Sequence, residues 1–269
     1  MDLGISTYTF TWAIGVSGHI PEVPMNIYAL IDKALQYKVD SVQIADNIPL
    51  HTFTMQELSN LKQYAISKNI KIEIGTRGFT YENTLQYLKI TKFFGSPFLR
   101  MVIDEKEYEP SLQAVKKLIT QIIPYFEQEN IILAFENHDR FKALEFEEMM
   151  HSTDTKHLGI CLDSVNSMGG GEGFREVCDT LLPYTINLHI KDFHIQRVFH
   201  RMGIEILGTP AGKGMLDIPL LINKSKKYNK VQSAILELWT PMLQDIPQTI
   251  VLENDWANDS ISYLKKIIS

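Results

Sequence analysis

Eight short apolar runs, centred near Ile5, Gln43, Glu73, Met101, Ala134, Cys161, Leu188 and Ile235, punctuate the chain. Most lie about 30 residues apart, the length of one strand plus its returning helix. Several, such as residues 131–135, are apolar almost without interruption, as in strands of a parallel sheet covered on both faces. Between them, residues 27–37, 55–67, 84–94, 112–129 and 218–228 carry apolar side chains at helical spacing, and Thr54 and Asn83 read as helix N-caps. Strands alternating with helices either close into a barrel or form an open doubly wound sheet. The first strand is followed by Ser6-Thr7-Tyr8-Thr9-Phe10-Thr11-Trp12, with no glycine-rich phosphate turn, which argues against the open nucleotide-binding form. A (β/α)₈ barrel takes about 250 residues. The 269 residues therefore predict one α/β barrel of the TIM type, a single domain spanning 1–269. The longest irregular stretch is expected over 197–216, between strands seven and eight, and the glycine-rich run at 169–173 reads as a turn or a second functional loop.

Composition narrows the partners. Lys and Arg number 26 against 32 Asp and Glu, a net charge of −6, which argues against a polyanion such as nucleic acid. Two cysteines make no disulfide framework, and Cys161 reads as a small core residue. The first residues lack the basic-then-apolar layout of a secretion signal, and no apolar stretch approaches the ~20 residues that span a bilayer. The expectation is a cytoplasmic protein with no membrane partner, and a homo-oligomer stays open.

The strand ends carry the chemistry. Runs five to eight finish Ala134-Phe135-Glu136-Asn137-His138, Ile160-Cys161-Leu162-Asp163-Ser164, Leu188-His189-Ile190-Lys191-Asp192 and Ile235-Leu236-Glu237-Leu238-Trp239. Each offers one metal-ligand type at the end where barrel strands converge: Glu136, Asp163, His189 and Glu237. A lone strand-end acid is usually solvated, and a lone histidine is more often a satisfied core residue. Four such residues at one structural point of four successive units are a different matter. Two carboxylates ~4 Å apart repel by about 4 kcal/mol at an effective dielectric of ~20. A divalent cation resolves that conflict, and oxygen donors with one imidazole suit Mn²⁺, Mg²⁺ or Co²⁺, with Zn²⁺ also compatible.

These motifs, together with Gly212-Lys213-Gly214-Met215-Leu216-Asp217 and Leu236-Glu237-Leu238, resemble the strand-end motifs of the xylose-isomerase-like barrel superfamily. That superfamily includes sugar isomerases, ketose 3-epimerases, inosose dehydratases and endonuclease IV. The resemblance implies that Glu136, Asp163, His189 and Glu237 bind one divalent metal and that Glu136 and Glu237 shuttle a proton. The chain departs from the ketose 3-epimerases at Lys142, Asn166 and Ile195, where those enzymes carry glutamate, histidine and arginine. The opening from Thr7 to Gly15 and the segment Gln43-Ile44-Ala45-Asp46-Asn47 resemble the 3-oxo-isoapionate decarboxylases of the same superfamily.

The first half adds cations. Arg77, Arg100 and Lys191 end strands three, four and seven, and suit a substrate carboxylate or phosphate. Tyr8, Phe10 and Trp12, from strand one, alternate on one face as candidate walls. Asn166, Gln43 and Asp46 are candidate binders of substrate polar groups. Two activities follow: a metal-dependent isomerase or epimerase of a small sugar or sugar acid, with Glu136 and Glu237 as acid–base groups, or a lyase that decarboxylates or dehydrates a 3-oxo sugar acid. A repair endonuclease would need more strand-end histidines and a basic groove. A non-catalytic sugar-binding barrel would have no use for four intact ligands.

Overall fold

A computed structural model describes residues 1–138 and 140–268. In chain order it contains β1 (Asp2–Ser6), α1 (Thr11–Ile14), α2 (Ile27–Tyr37), β2 (Ser41–Ile44), α3 (Met55–Ser67), β3 (Lys71–Arg77), α4 (Tyr81–Phe94), β4 (Phe98–Val102), α5 (Leu112–Glu129) and β5 (Ile132–Glu136). There follow α6 (Ala143–Met150), β6 (Leu158–Asp163), α7 (Asn166–Gly169), α8 (Phe174–Leu181), β7 (Thr185–Ile190), β8 (Asp192–Arg197), β9 (Ile204–Thr209), α9 (Ile218–Lys226), β10 (Ser233–Leu236) and α10 (Ile246–Ile268). Eight parallel strands close in the ring order β1-β10-β7-β6-β5-β4-β3-β2, so every apolar run read from the sequence is a barrel strand. Helices cover the ring, and their apolar faces form one buried cluster with the strands' outer side chains. No described helix is long and apolar enough to cross a membrane.

Local signals explain most boundaries. Thr54 caps α3 with a full capping box: its hydroxyl accepts from the Glu57 N–H while the Glu57 carboxylate accepts from the Thr54 N–H. Asn83 is not the cap of α4. That helix starts at Tyr81 behind Thr80, and Asn83 instead donates from its amide to the carbonyls of Arg77 and Gly78. The last helix before β10 ends at Lys226, two residues short of the expectation. Phe10 does not wall a pocket. Strand β1 stops at Ser6, and Phe10 is fully buried, stacked on Tyr37 with ring centroids 6.4 Å apart.

The stretch expected to be irregular over 197–216 is half ordered. Residues 192–209 form an antiparallel hairpin, β8 against β9, standing at the barrel mouth. Its base is tied by Asp192, whose carboxylate accepts from the backbone N–H groups of Phe193, Gly212, Gly214 and Leu216. A Cβ at Gly214 would overlap the Asp192 carboxylate, so this closure requires glycine. The barrel interior is more polar than the usual stack of branched apolar residues: Gln43, Glu73, Asn187 and Ser233 are all buried within it.

Candidate metal centre

The carboxyl ends of four neighbouring strands converge. Glu136 and Asp163 close β5 and β6, His189 sits one residue before the end of β7, and Glu237 follows β10; all four are at most 1% exposed. His189 Nδ1 lies 3.3 Å from Glu136 Oε2, 3.4 Å from Glu237 Oε1 and 3.9 Å from Asp163 Oδ2. Each acid is held from behind. Asn166 Nδ2 donates to Glu136 Oε1 at 2.9 Å. The N–H groups of Val165 and Asn166 donate to Asp163 Oδ1 at 2.9 and 2.8 Å. Ser6 Oγ donates to Glu237 Oε1 at 3.1 Å. Three carboxylate oxygens, Glu136 Oε2, Asp163 Oδ2 and Glu237 Oε1, face one nitrogen.

Cations surround this group. Lys191 Nζ bridges Asp163 Oδ2 at 2.7 Å and Glu237 Oε2 at 2.9 Å. Arg100, 3% exposed, places Nε 2.5 Å from Glu136 Oε2 and Nη1 2.9 Å from Asp46 Oδ1. Arg77 Nε is 3.2 Å from Asp46 Oδ2, and Tyr8 Oη donates to the same oxygen at 3.0 Å. Asp46 is therefore not a free hydroxyl binder but the counter-ion of both arginines. Burial alone would raise these acids. For Glu237 the neighbouring His189, Lys191 and Arg100 outweigh it and bring the carboxyl down to about 2. Glu136 is likewise lowered against its burial, chiefly by Arg100, and Asp46 by Arg100 and Arg77. Lys191 is raised, its burial overcome by Asp163, Glu237 and Glu136, so the ammonium stays charged.

A cavity of about 720 Å³ opens onto the cluster, and Trp12, Arg77, Arg100, Asn166 and Lys191 all line it. Gln43 does not. It is fully buried behind the histidine, where His189 Nε2 and Gln43 Oε1 are 2.7 Å apart. Of the departures from the epimerase pattern, Asn166 holds Glu136, Lys142 donates to the Gly170 carbonyl, and Ile195 stands in the hairpin, partly exposed. Trp239, unremarked in the sequence, also lines the cavity, with Lys191 Nζ 5.8 Å from its ring centroid. An aromatic two residues past the strand-end Glu237 was the available signal.

The donor set fits a divalent cation. His189 Nδ1 is buried and has no hydrogen-bond partner. Asp163, His189 and Glu237 present donor atoms within 4.8 Å of one another. Cys161 forms a second such group with Glu136 and His189, but its thiol donates to Asn187 Oδ1 at 3.0 Å and is pushed up by burial and by Glu136. The oxygen-rich set with one imidazole is the better cation site.

Known proteins share this fold. A family model described as Xylose isomerase-like TIM barrel matches residues 31–267. A 3-oxo-isoapionate decarboxylase of Pectobacterium atrosepticum is 29% identical over 264 residues, covering 98% of this chain and 95% of that protein. A solved D-psicose 3-epimerase with D-tagatose from Clostridium cellulolyticum H10 shares the fold with a TM-score of 0.74 over 100% of both chains, at 12% identity. A xylose isomerase-like TIM-barrel protein from Mycobacterium smegmatis, in complex with magnesium, gives 0.67 over 98% of this chain and 97% of that one, also at 12% identity.

Proposed function

Because the chain belongs to the xylose isomerase-like TIM-barrel family, we propose that it is a divalent-metal-dependent lyase that decarboxylates a small 3-oxo sugar acid. The observation that carries the reading is Lys191, a buried ammonium bridging Asp163 and Glu237 at the cavity floor. Glu136, Asp163, His189 and Glu237 would hold the metal. When bound, the ion supplies Lewis-acid polarisation of a substrate carbonyl. The four acids Asp46, Glu136, Asp163 and Glu237 face three bases, Arg77, Arg100 and Lys191; with a divalent ion the site carries one net positive charge, which favours an anionic substrate.

Loss of CO₂ from a 3-oxo acid needs no base. The bond between C1 and C2 breaks, its electron pair stays on C2 and delocalises onto the 3-oxo group, and C2 then takes a proton. Lys191 lines the cavity beside the cluster and is the proton donor at hand by position; solvent reprotonates it afterwards. Arg77 orients the carboxylate from the wall. The glutamates suit this division of labour. Ion-paired and held low, they are poor bases but good anionic ligands. The 29% identity to a decarboxylase over nearly the whole chain supports the same choice.

An isomerase or epimerase remains the second reading, favoured by Glu136 and Glu237 lying on either side of one point, 3.3 and 3.4 Å from His189 Nδ1. Incubating the Mn²⁺-loaded protein with 3-oxo sugar acids and with neutral ketoses separates the two. Release of CO₂ from an acid is expected. An epimerised ketose formed without CO₂ would establish the second reading instead.

A further inference from the structure

The polar residues inside the barrel are not scattered; they form a chain of hydrogen bonds whose directions are forced. Asn187 Nδ2 faces the Ser233 carbonyl at 3.4 Å and Ser233 Oγ at 2.8 Å. A backbone carbonyl only accepts, so the amide nitrogen of Asn187 must lie on that side and its Oδ1 on the other. Asn187 Oδ1 is 3.1 Å from Gln43, and Glu73 Oε2 is also 3.1 Å from the same Gln43 atom. Two acceptors at one position require the Gln43 NH₂ there. The Gln43 carbonyl oxygen is then the atom 2.7 Å from His189 Nε2. A carbonyl cannot donate, so Nε2 must carry the proton. The lone pair of the neutral ring is left on Nδ1, the buried nitrogen that faces the three carboxylates without a hydrogen-bond partner.

We infer that Gln43, its amide held by Glu73 and Asn187, is a positioning residue that fixes the Nε2–H tautomer and ring orientation of His189 and so presents Nδ1 to the metal. This rests on the metal centre proposed above. Gln43 is fully buried and outside the cavity wall, so it acts through His189 and not on substrate. Without it, the neutral imidazole can move its proton to Nδ1, where carboxylate acceptors wait, and that form cannot ligate. Partners behind a ligating histidine are typically worth about 10–100-fold in metal affinity.

Two readouts test the inference. In ¹⁵N-histidine-labelled protein, recorded with Mg²⁺ and without metal, the His189 resonance should show the Nε2–H pattern. In Gln43→Met the metal-free neutral ring should shift toward Nδ1–H, and the Mn²⁺ dissociation constant from calorimetry should rise about 10–100-fold. Gln43→Asn, which withdraws the carbonyl by one methylene and keeps a polar group in the barrel, should move both in the same direction if Gln43→Met fails to fold. An Nδ1–H pattern in the wild-type chain overturns the inference. So does a folded Gln43 variant with the Nε2–H pattern and a dissociation constant within twofold of wild type. A wild-type chain that shows the Nε2–H pattern but binds no divalent ion leaves Gln43's role in fixing the tautomer standing and defeats the metal centre instead.

Discussion

Replacing Arg100 by Met removes the one cation that holds Glu136 and Asp46 together. Arg100 is 3% exposed, and its two ion pairs measure 2.5 and 2.9 Å. Deleting one partner of a buried pair leaves an uncompensated charge, at about 3–5 kcal/mol. Asp46 keeps Arg77 at 3.2 Å, so the lower half of that range is expected. For a chain of this size each kcal/mol moves the melting temperature by roughly 2–4 °C, so metal-free Arg100→Met should melt roughly 6–16 °C below wild type. A divalent ion beside Glu136 replaces part of the lost charge, so the deficit should shrink in Mn²⁺. Thermal unfolding of both chains, with Mn²⁺ and with chelator, measures each quantity, and KM for the acidic substrate is taken alongside. The reasoning fails if the metal-free deficit is below about 1 kcal/mol while KM rises tenfold or more. Arg100 would then be a substrate anchor whose acids are satisfied by other means.

Lys191→Met should keep the fold and still bind Mn²⁺, while kcat falls at least about 100-fold, the usual scale for a lost acid; a loss under tenfold would remove Lys191 from proton delivery. Glu237→Gln should weaken Mn²⁺ binding and abolish turnover with the circular dichroism spectrum unchanged. The pH dependence of stability separates two kinds of buried acid. Glu237, lowered to about 2, contributes stability that is present above pH 4.5 and lost as pH falls toward 2. Glu73, pushed up to about 7 by burial against its hydrogen bonds from Ser233 and Gln43, behaves oppositely: its contribution is present below pH 4.5 and lost as pH rises through 7. Glu73→Gln, which keeps an acceptor for Gln43, should therefore gain up to roughly 3 kcal/mol over wild type above pH 7 and flatten the slope between pH 4.5 and 7, as read by urea unfolding. Gly214→Ala should loosen the hairpin base and raise proteolytic nicking within 192–209 while leaving the barrel's far-ultraviolet spectrum intact.

The eight strands were legible because a buried parallel strand is written as an uninterrupted apolar run, and α2, α3 and α5 because one face of each is cleanly apolar. Other elements hid for physical reasons. The first turn of α4 is Tyr81-Glu82-Asn83, half exposed, so the apolar period starts late. Helix α10 buries Thr249, Glu253 and Ser260, and these polar residues break the stripe that marks a helix. The convergence of Glu136, Asp163, His189 and Glu237 could be read because barrel geometry brings equivalent points of successive units to one mouth. The pairing of Asp46 with two arginines and the place of Gln43 behind His189 could not be read. They are contacts between residues 31, 54 and 146 positions apart, and spacing along the chain says nothing of them.

Glu237 stands on the last strand to join the ring, beside the first. Ser6 grips its carboxylate, the Tyr8 carbonyl accepts from the Leu238 N–H, the Trp12 indole donates to the Thr240 carbonyl, and Glu253 accepts from the N–H groups of Trp12 and Ala13. The proposed ion site thus sits on the seam where the first and last strands of the ring are laced together. During synthesis, a nascent chain that has not yet reached β10 carries three of the four donors on an open sheet, with no partner for the first strand's free edge. An ion held by all four would act as a clasp, favouring the closed ring over every partly assembled one.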